Sequence, residues 1–183
     1  MHEIILSVPL ARNAYHYHQT VWRLMEREEG SPRDFIFRAV PAPGGSGAFV
    51  KVRANQFPAM LAERCIPVTS LRVGKRYTFS VLCHPVRRND KGEQPIRRPE
   101  DATTWLTRLM KLNGMSILET EADFQTSMEI RKTETEKGGR MHAVNFVGVL
   151  EVLDSDRANT ALRNGVGRGK SMGFGLLEVE AVQ

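Results

Sequence analysis

Hydrophobic and polar positions along the chain fall into two similar series. In the first, Glu3–Val8 reads as a strand, and Asn13 is a fitting N-cap for a helix running to about Glu29. Ala14, Tyr17, Val21, Leu24 and Met25 form its apolar stripe, and Gly30 with Pro32 stops it. Strands Asp34–Val40 and Ala48–Ala54 follow, joined by a Pro- and Gly-rich turn, then a short helix near Phe57–Glu63 and a strand at Val68–Leu71. The second series repeats that order. Strand Arg76–Val86 leads into a basic loop and a helix over Glu100–Leu112. Strands near Met115–Ile130 and Met141–Leu153 bracket Gly138-Gly139, a short helix covers Ser155–Asn164, and a last strand alternates over Leu176–Val182. Two runs of β-α-β-β-α-β predict an α+β chain of tandem ferredoxin-like units, residues 1–75 and 76–183. Each unit is expected to bury one sheet face under helices and leave the other face free.

Charge sharpens this picture. The 183 residues carry 26 Lys and Arg against 21 Asp and Glu, a net +5. The cations cluster: Arg87, Arg88, Arg97 and Arg98 lie close together, Arg131, Lys132, Lys137 and Arg140 flank Gly138-Gly139, and Arg168 and Lys170 share one loop. Patches of this kind are the usual footprint of a nucleic-acid surface. Cys65 and Cys83, far apart in apolar segments, read as buried reduced thiols. With no secretory leader and no apolar run of about 20 residues, a cytoplasmic protein without membrane contact is expected.

Between the last helix and the last strand, Gly165, Gly167, Gly169, Gly173 and Gly175 alternate with Arg168, Lys170 and Ser171. A loop so poor in Cβ atoms lets its backbone approach a polyanion, although a tight, solvated connection has the same composition. A Walker loop runs from strand to helix and has a glycine separated by four residues from its Gly-Lys pair. Here the order is helix to strand and that position is Asn164, so a nucleotide-triphosphate cradle is excluded.

Candidate chemistry sits on the first helix. Tyr15 and His18, three apart, share the rim of its apolar stripe, with Trp22, Arg12 and Arg23 nearby. An imidazole exchanges protons near neutrality and a phenol can orient a hydroxyl, a pairing suited to RNA cleavage without a metal. A half-buried histidine satisfied by a carbonyl would give the same pattern. His84 and His142 are assigned no role.

These residues resemble the CasE family of CRISPR repeat-processing endoribonucleases, nearly end to end. The matching stretches are Tyr15-x-x-His18-Gln19 with Trp22, Arg33-Asp34-Phe35-Ile36-Phe37, Pro85–Arg98, Thr104-Trp105-Leu106 and Val147-Gly148-Val149-Leu150. The closing match is Gly165-x-Gly167-x-x-Lys170-Ser171-Met172-Gly173-x-Gly175-Leu176-Leu177. The resemblance implies tandem ferredoxin-like domains, a repeat RNA stem-loop as substrate, and one cut at the base of the stem that needs no metal or cofactor. It implies His18 and Tyr15 as catalytic, with Arg23 as a supporting cation. Arg12, Arg87, Arg88, Arg97, Arg98, Lys137, Arg140, Arg168, Lys170 and Ser171 are expected to hold RNA. It further implies a 2′,3′-cyclic phosphate product and continued residence in a Cascade-like complex of several subunits. The alternative is a non-catalytic RNA-binding subunit of a CRISPR ribonucleoprotein.

Overall fold

A computed structural model describes residues 1–182 except 12, 29, 91, 126 and 132–137. The first unit comprises β1 (His2–Val8), α1 (Ala14–Leu24), β2 (Phe35–Pro41), β3 (Ala48–Ala54), α2 (Ala59–Ala62) and β4 (Ile66–Pro67). Its antiparallel sheet has the order β2-β3-β1-β4. The second unit comprises β5 (Arg76–Cys83), β6 (Val86–Asn89), β7 (Gly92–Pro95), α3 (Pro99–Leu112), β8 (Met115–Phe124), β9 (Met128–Ile130), β10 (Gly139–Met141), β11 (Val144–Val152), α4 (Ser155–Asn164) and β12 (Leu177–Ala181). Its main sheet has the order β12-β5-β11-β8, also antiparallel. Counted within each unit, both sheets run fourth-first-third-second, the ferredoxin-like order expected from the repeated series. Two hairpins, β6–β7 and β9–β10, are inserted into the second.

Period-two alternation decides which face of each sheet is buried. In the first unit Leu6, Phe35, Phe37, Val50 and Val52 meet Tyr17 and Val21 of α1 and Met25, which caps it. In the second, Phe79, Val81, Phe146 and Leu150 meet Leu106 and Met110 of α3 and Leu162 of α4.

The opposite faces are not free, which corrects the expectation. They turn toward each other across a charged seam. Arg38 of β2 donates to Ser80 Oγ (2.9 Å) and Glu178 Oε2 (2.8 Å) through Nη1, and to Asn145 Oδ1 (3.0 Å) through Nη2. Lys51 of β3 pairs with Glu178, and Arg53 of β3 reaches into the second unit from a site only 2% exposed. These cations sit one residue out of phase with the core residues of their own strands, so the alternation that buries Phe37 and Val52 also aims Arg38 and Arg53 at the seam.

Four local readings change. Helix α1 ends at Leu24, well short of Glu29, because Glu26 adopts φ 50° and Arg27 forks onto Asp34 at 2.9 and 2.8 Å. Strand β4 is Ile66–Pro67, upstream of Val68–Leu71. Pro67 lacks the donor to extend a ladder, and Leu71 leaves for the second core. The basic stretch after β5 is a paired hairpin, with Arg87 opposite Gln94 and Arg88 opposite Glu93. The strand expected over Met115–Ile130 breaks after Phe124 and resumes at Met128.

Gly148 marks the point where β11 bends against β8, beside a register shift at Val149/Leu150. A Cβ there would overlap the Glu119 carbonyl and come within 2.8 Å of the Thr120 Cα. Gly148→Ala should therefore lower stability by about 1–3 kcal/mol, read from urea unfolding, because the neighbour is backbone and cannot rotate away.

Candidate active site

Helix α1 presents its chemistry on one flank. Asn13 Oδ1 accepts from the backbone N–H of Tyr15 (2.8 Å) and of His16 (3.3 Å), which fixes the first turn. Ala14, Tyr17 and Val21 are buried against the sheet, leaving Tyr15, His18 and Trp22 along the edge. The His18 ring lies between Tyr15 and Trp22, with centroids 5.6 and 5.5 Å away, and Trp22 meets the ring of Phe35 edge-on at 5.5 Å. The imidazole is thereby held by aromatic contacts on two sides.

The glycine loop is brought to that flank by packing on β2. Its neck is closed by Val166 N–H donating to the Gly175 carbonyl (2.9 Å) and Gly175 N–H donating to the Leu82 carbonyl (2.7 Å). Residues Lys170–Met172 form one 3-10 turn. Gly165, at φ 72°, lies where any Cβ would overlap Ile36, and a Cβ on Gly173, at φ 89°, would sit 3.2 Å from the Phe37 ring. Their missing side chains serve this approach of loop to strand.

Between helix and loop lies a cavity of about 960 Å³, whose lining includes His18, Ser31, Arg33, His84, Lys170 and Ser171. Arg168 and Glu93 also line it and form an ion pair, which ties hairpin β6–β7 to the loop. On the other side of His18 a second cavity of about 500 Å³ is bounded by Tyr15, Gln19 and Arg23. His18 borders both.

Burial, then repulsion from Arg33, draws the His18 pKa below its ordinary value, while the Ser171 backbone opposes that shift. The Ser171 contact favours the protonated ring electrostatically; His18 Nδ1 itself is buried and has no hydrogen-bond partner among the described residues. Burial and Arg33 likewise draw Lys170 down, and burial draws Arg33 down. An arginine stays charged regardless. Arg33 thus repels both His18 and Lys170, and Glu93, an acid in the lining, is already paired.

Of the residues expected from sequence, His18, Arg168, Lys170 and Ser171 thus share the larger cavity, and Tyr15 and Arg23 line the adjoining one, with His18 on both. Arg87, Arg88, Arg97, Arg98 and Arg140 are exposed elsewhere on the second unit, with Arg87 3.7 Å from Asp101 and Arg98 3.8 Å from Glu100. Arg12 and Lys137 lie outside the described residues. Gly167 and Gly169 line the cavity, whereas Gly165, Gly173 and Gly175 are buried in the loop base. Arg33 and His84 are among the lining residues unassigned from sequence. Arg33 carries a signal, a cation just before a buried strand in a segment that matches the CasE pattern. His84, whose Nδ1 donates to the His142 carbonyl (2.9 Å), carries none beyond its place at the end of β5. Cys83, as expected, is buried, which pushes its thiol up to about 12; Cys65 is partly exposed, contrary to expectation.

Known proteins share this fold. The profile of a family described as CRISPR associated protein matches residues 8–180. The chain belongs to that family. Within it, the chain is 33% identical over 190 residues to the CRISPR-associated endoribonuclease Cse3 of Thermus thermophilus, covering 91% of this chain and 90% of that protein. It is 25% identical over 195 residues to the CRISPR system Cascade subunit CasE of Escherichia coli, covering 97% and 96%. A solved structure of the CRISPR endoribonuclease Cse3 bound to a 19-nucleotide RNA superposes with a TM-score of 0.79, at 29% identity, over 98% of this chain and all of that one. These relatives identify the chain as a CasE-type member with tandem ferredoxin-like domains. Among the described residues, no helix is long and apolar enough to cross a membrane.

The electrostatics of this CRISPR-associated chain are checkable without any substrate. In an NMR titration of the imidazole protons, His18 should titrate below the ordinary value of about 6.5. Arg33→Met should move that midpoint upward by removing a repelling charge. An unchanged midpoint would mean that Arg33 does not act on the ring.

Proposed function

We propose that the chain is a metal-independent endoribonuclease. It cuts CRISPR repeat RNA at the base of the stem-loop and remains bound as a subunit of a Cascade-like effector complex in the cytoplasm. The observation that carries this reading is the meeting of one imidazole with cations that have no acidic partner among the described residues, His18 beside Arg33 and Lys170, in a cavity open to a polyanion. Membership of the CRISPR-associated family and the endoribonuclease names of its relatives support the substrate class.

In the proposed step the ribose 2′-oxygen forms a bond to the adjacent phosphorus and the bond from phosphorus to the 5′-oxygen breaks. The products are a 2′,3′-cyclic phosphate and a 5′-hydroxyl. His18, drawn toward its neutral form, suits the acceptor of the 2′-hydroxyl proton. Tyr15, whose ring flanks His18, orients the attacking hydroxyl or supplies a proton to the leaving oxygen. Arg33, Lys170 and Arg168 stabilise charge gathering on the phosphorane, in a site partly withdrawn from water where such contacts are strong. Arg23 lies in the neighbouring cavity as a supporting cation.

RNA binding extends along the exposed arginines. Arg87, Arg88, Arg97 and Arg98 track stem phosphates, and Arg140 on hairpin β9–β10 lies beside the duplex; Arg12 and Lys137 belong to the same proposed surface. Each phosphate contact releases counterions and steepens the salt dependence of binding. A division after residue 75 is part of the same reading, supported by two cores of which the second also takes in Leu71 from before that point.

His18→Ala should slow single-turnover cleavage of a repeat stem-loop by about 10²–10⁴ while leaving binding nearly intact. Cleavage at the parental rate would remove His18 from the mechanism, and a parent that binds the stem-loop without cutting it would mark the chain as a binding subunit. Cleavage should also persist in EDTA and stop on RNA carrying a single 2′-deoxy nucleotide just upstream of the cut. Continued cutting of the deoxy substrate would rule out attack by the 2′-oxygen.

A further inference from the structure

Arg53 is the one buried charged side chain among the described residues, and its guanidinium bridges its own sheet and the second unit. Its Nη1 donates to two backbone carbonyls of the second unit, Leu162 at 2.9 Å and Leu177 at 2.8 Å. Its Nε and Nη2 donate to Glu3 Oε2 at 3.2 and 2.9 Å. Leu162 lies in the last turn of α4 and Leu177 is the first residue of β12, so the two carbonyls bracket the glycine loop on either side.

The Leu162 carbonyl is one of those a helix end leaves without a partner. Val166 N–H, which continued helix would direct to it, goes instead to Gly175. A guanidinium suits that place, since its charge complements the negative end of the helix. Its planar fork also serves both carbonyls on one edge while Glu3 holds the other, a geometry an ammonium does not reproduce.

We infer that Arg53 is a positioning residue for RNA cleavage: anchored on β3 of the unit that carries His18, it pins both ends of the glycine loop and so sets Lys170 and Ser171 against the imidazole. The inference rests on the endoribonuclease reading above. Arg53 itself touches no substrate. Its effect passes through the loop, where a displacement on the order of 1 Å at the reacting groups can cost about 100-fold in rate.

The test compares the full-length parent with Arg53→Gln, Arg53→Lys and, as a control, Arg38→Gln, which removes seam bonds that do not touch the loop ends. Single-turnover cleavage of bound repeat RNA should fall about 10- to 100-fold in both Arg53 variants, with the dissociation constant changed less than about threefold. Arg38→Gln should stay within about threefold of the parent in rate. Hydrogen exchange should accelerate at the Val166 and Gly175 amides in the Arg53 variants and not in the control. Should Arg53→Gln fail to fold, Glu3→Gln, which frees one edge of the guanidinium, should give the same pattern more weakly.

Parental cleavage by Arg53→Lys with unchanged exchange would overturn the inference, as would equal rate losses in the Arg38 control. A parent that does not cut RNA would instead defeat the endoribonuclease reading, and the exchange data would then decide alone whether Arg53 pins the loop.

Discussion

Contact between the glycine loop and strand β2 is the constraint on which the site depends. The loop belongs to the second unit and β2 to the first, and the two touch where Gly165 meets Ile36 and Gly173 meets Phe37. A methyl group at Gly165 would overlap the tip of Ile36, and one at Gly173 would press on the Phe37 ring. The same contact sets the imidazole of α1 beside the cations of the loop, because α1 and β2 share one core through Val21, Met25 and Phe37. Packing inside one unit and close approach between units therefore act in series. The charged seam formed by Arg38, Lys51 and Arg53 with Glu3 and Glu178 adds directionality to what would otherwise be two sheets in loose apposition.

Placing His18, Arg33 and Lys170 together is unfavourable in the free protein. Each loses hydration, and the charge of Arg33 adds to the cost of protonation at His18 and Lys170. Such an arrangement persists only when the surrounding fold is rigid enough to hold it, and here the aromatic contacts of Tyr15, Trp22 and Phe35 supply that rigidity on the helix side. The tension is relieved when a polyanion enters, since one phosphate can neutralise several of these groups at once. Binding and pre-organisation thus share a source.

Much of the fold was legible because alternation and turn chemistry act locally. Strands such as Ala48–Ala54, the cap at Asn13 and the stop after Asn164 follow from neighbours within a few residues. The candidate pair Tyr15 and His18 was legible for the same reason, as both lie on one helix edge. What escaped the sequence depends on distant partners. Helix α1 stops early because Arg27 forks onto Asp34 across the following turn, which no periodicity signals. The open sheet faces close on each other because Arg38 finds Glu178, 140 residues away. His84 enters the cavity only through the placement of β5 beside the glycine loop. The basic residues after Pro85 read as a loop because a hairpin of polar residues carries no hydrophobic alternation; its pairing is visible only in the backbone ladder.

The ion pair between Arg168 and Glu93 has one further consequence. A guanidinium that already has a carboxylate is not an empty anion receptor: an arriving phosphate must exchange with an internal counter-ion, not merely displace water. A lone small anion gains little from that exchange, since it dissolves one pairing to form another. A strand long enough to engage other cations of the groove at the same time recovers the difference elsewhere. The acid on the neighbouring hairpin thereby lowers what Arg168 alone contributes to holding a single phosphate, by an amount that the exposure of both side chains keeps small.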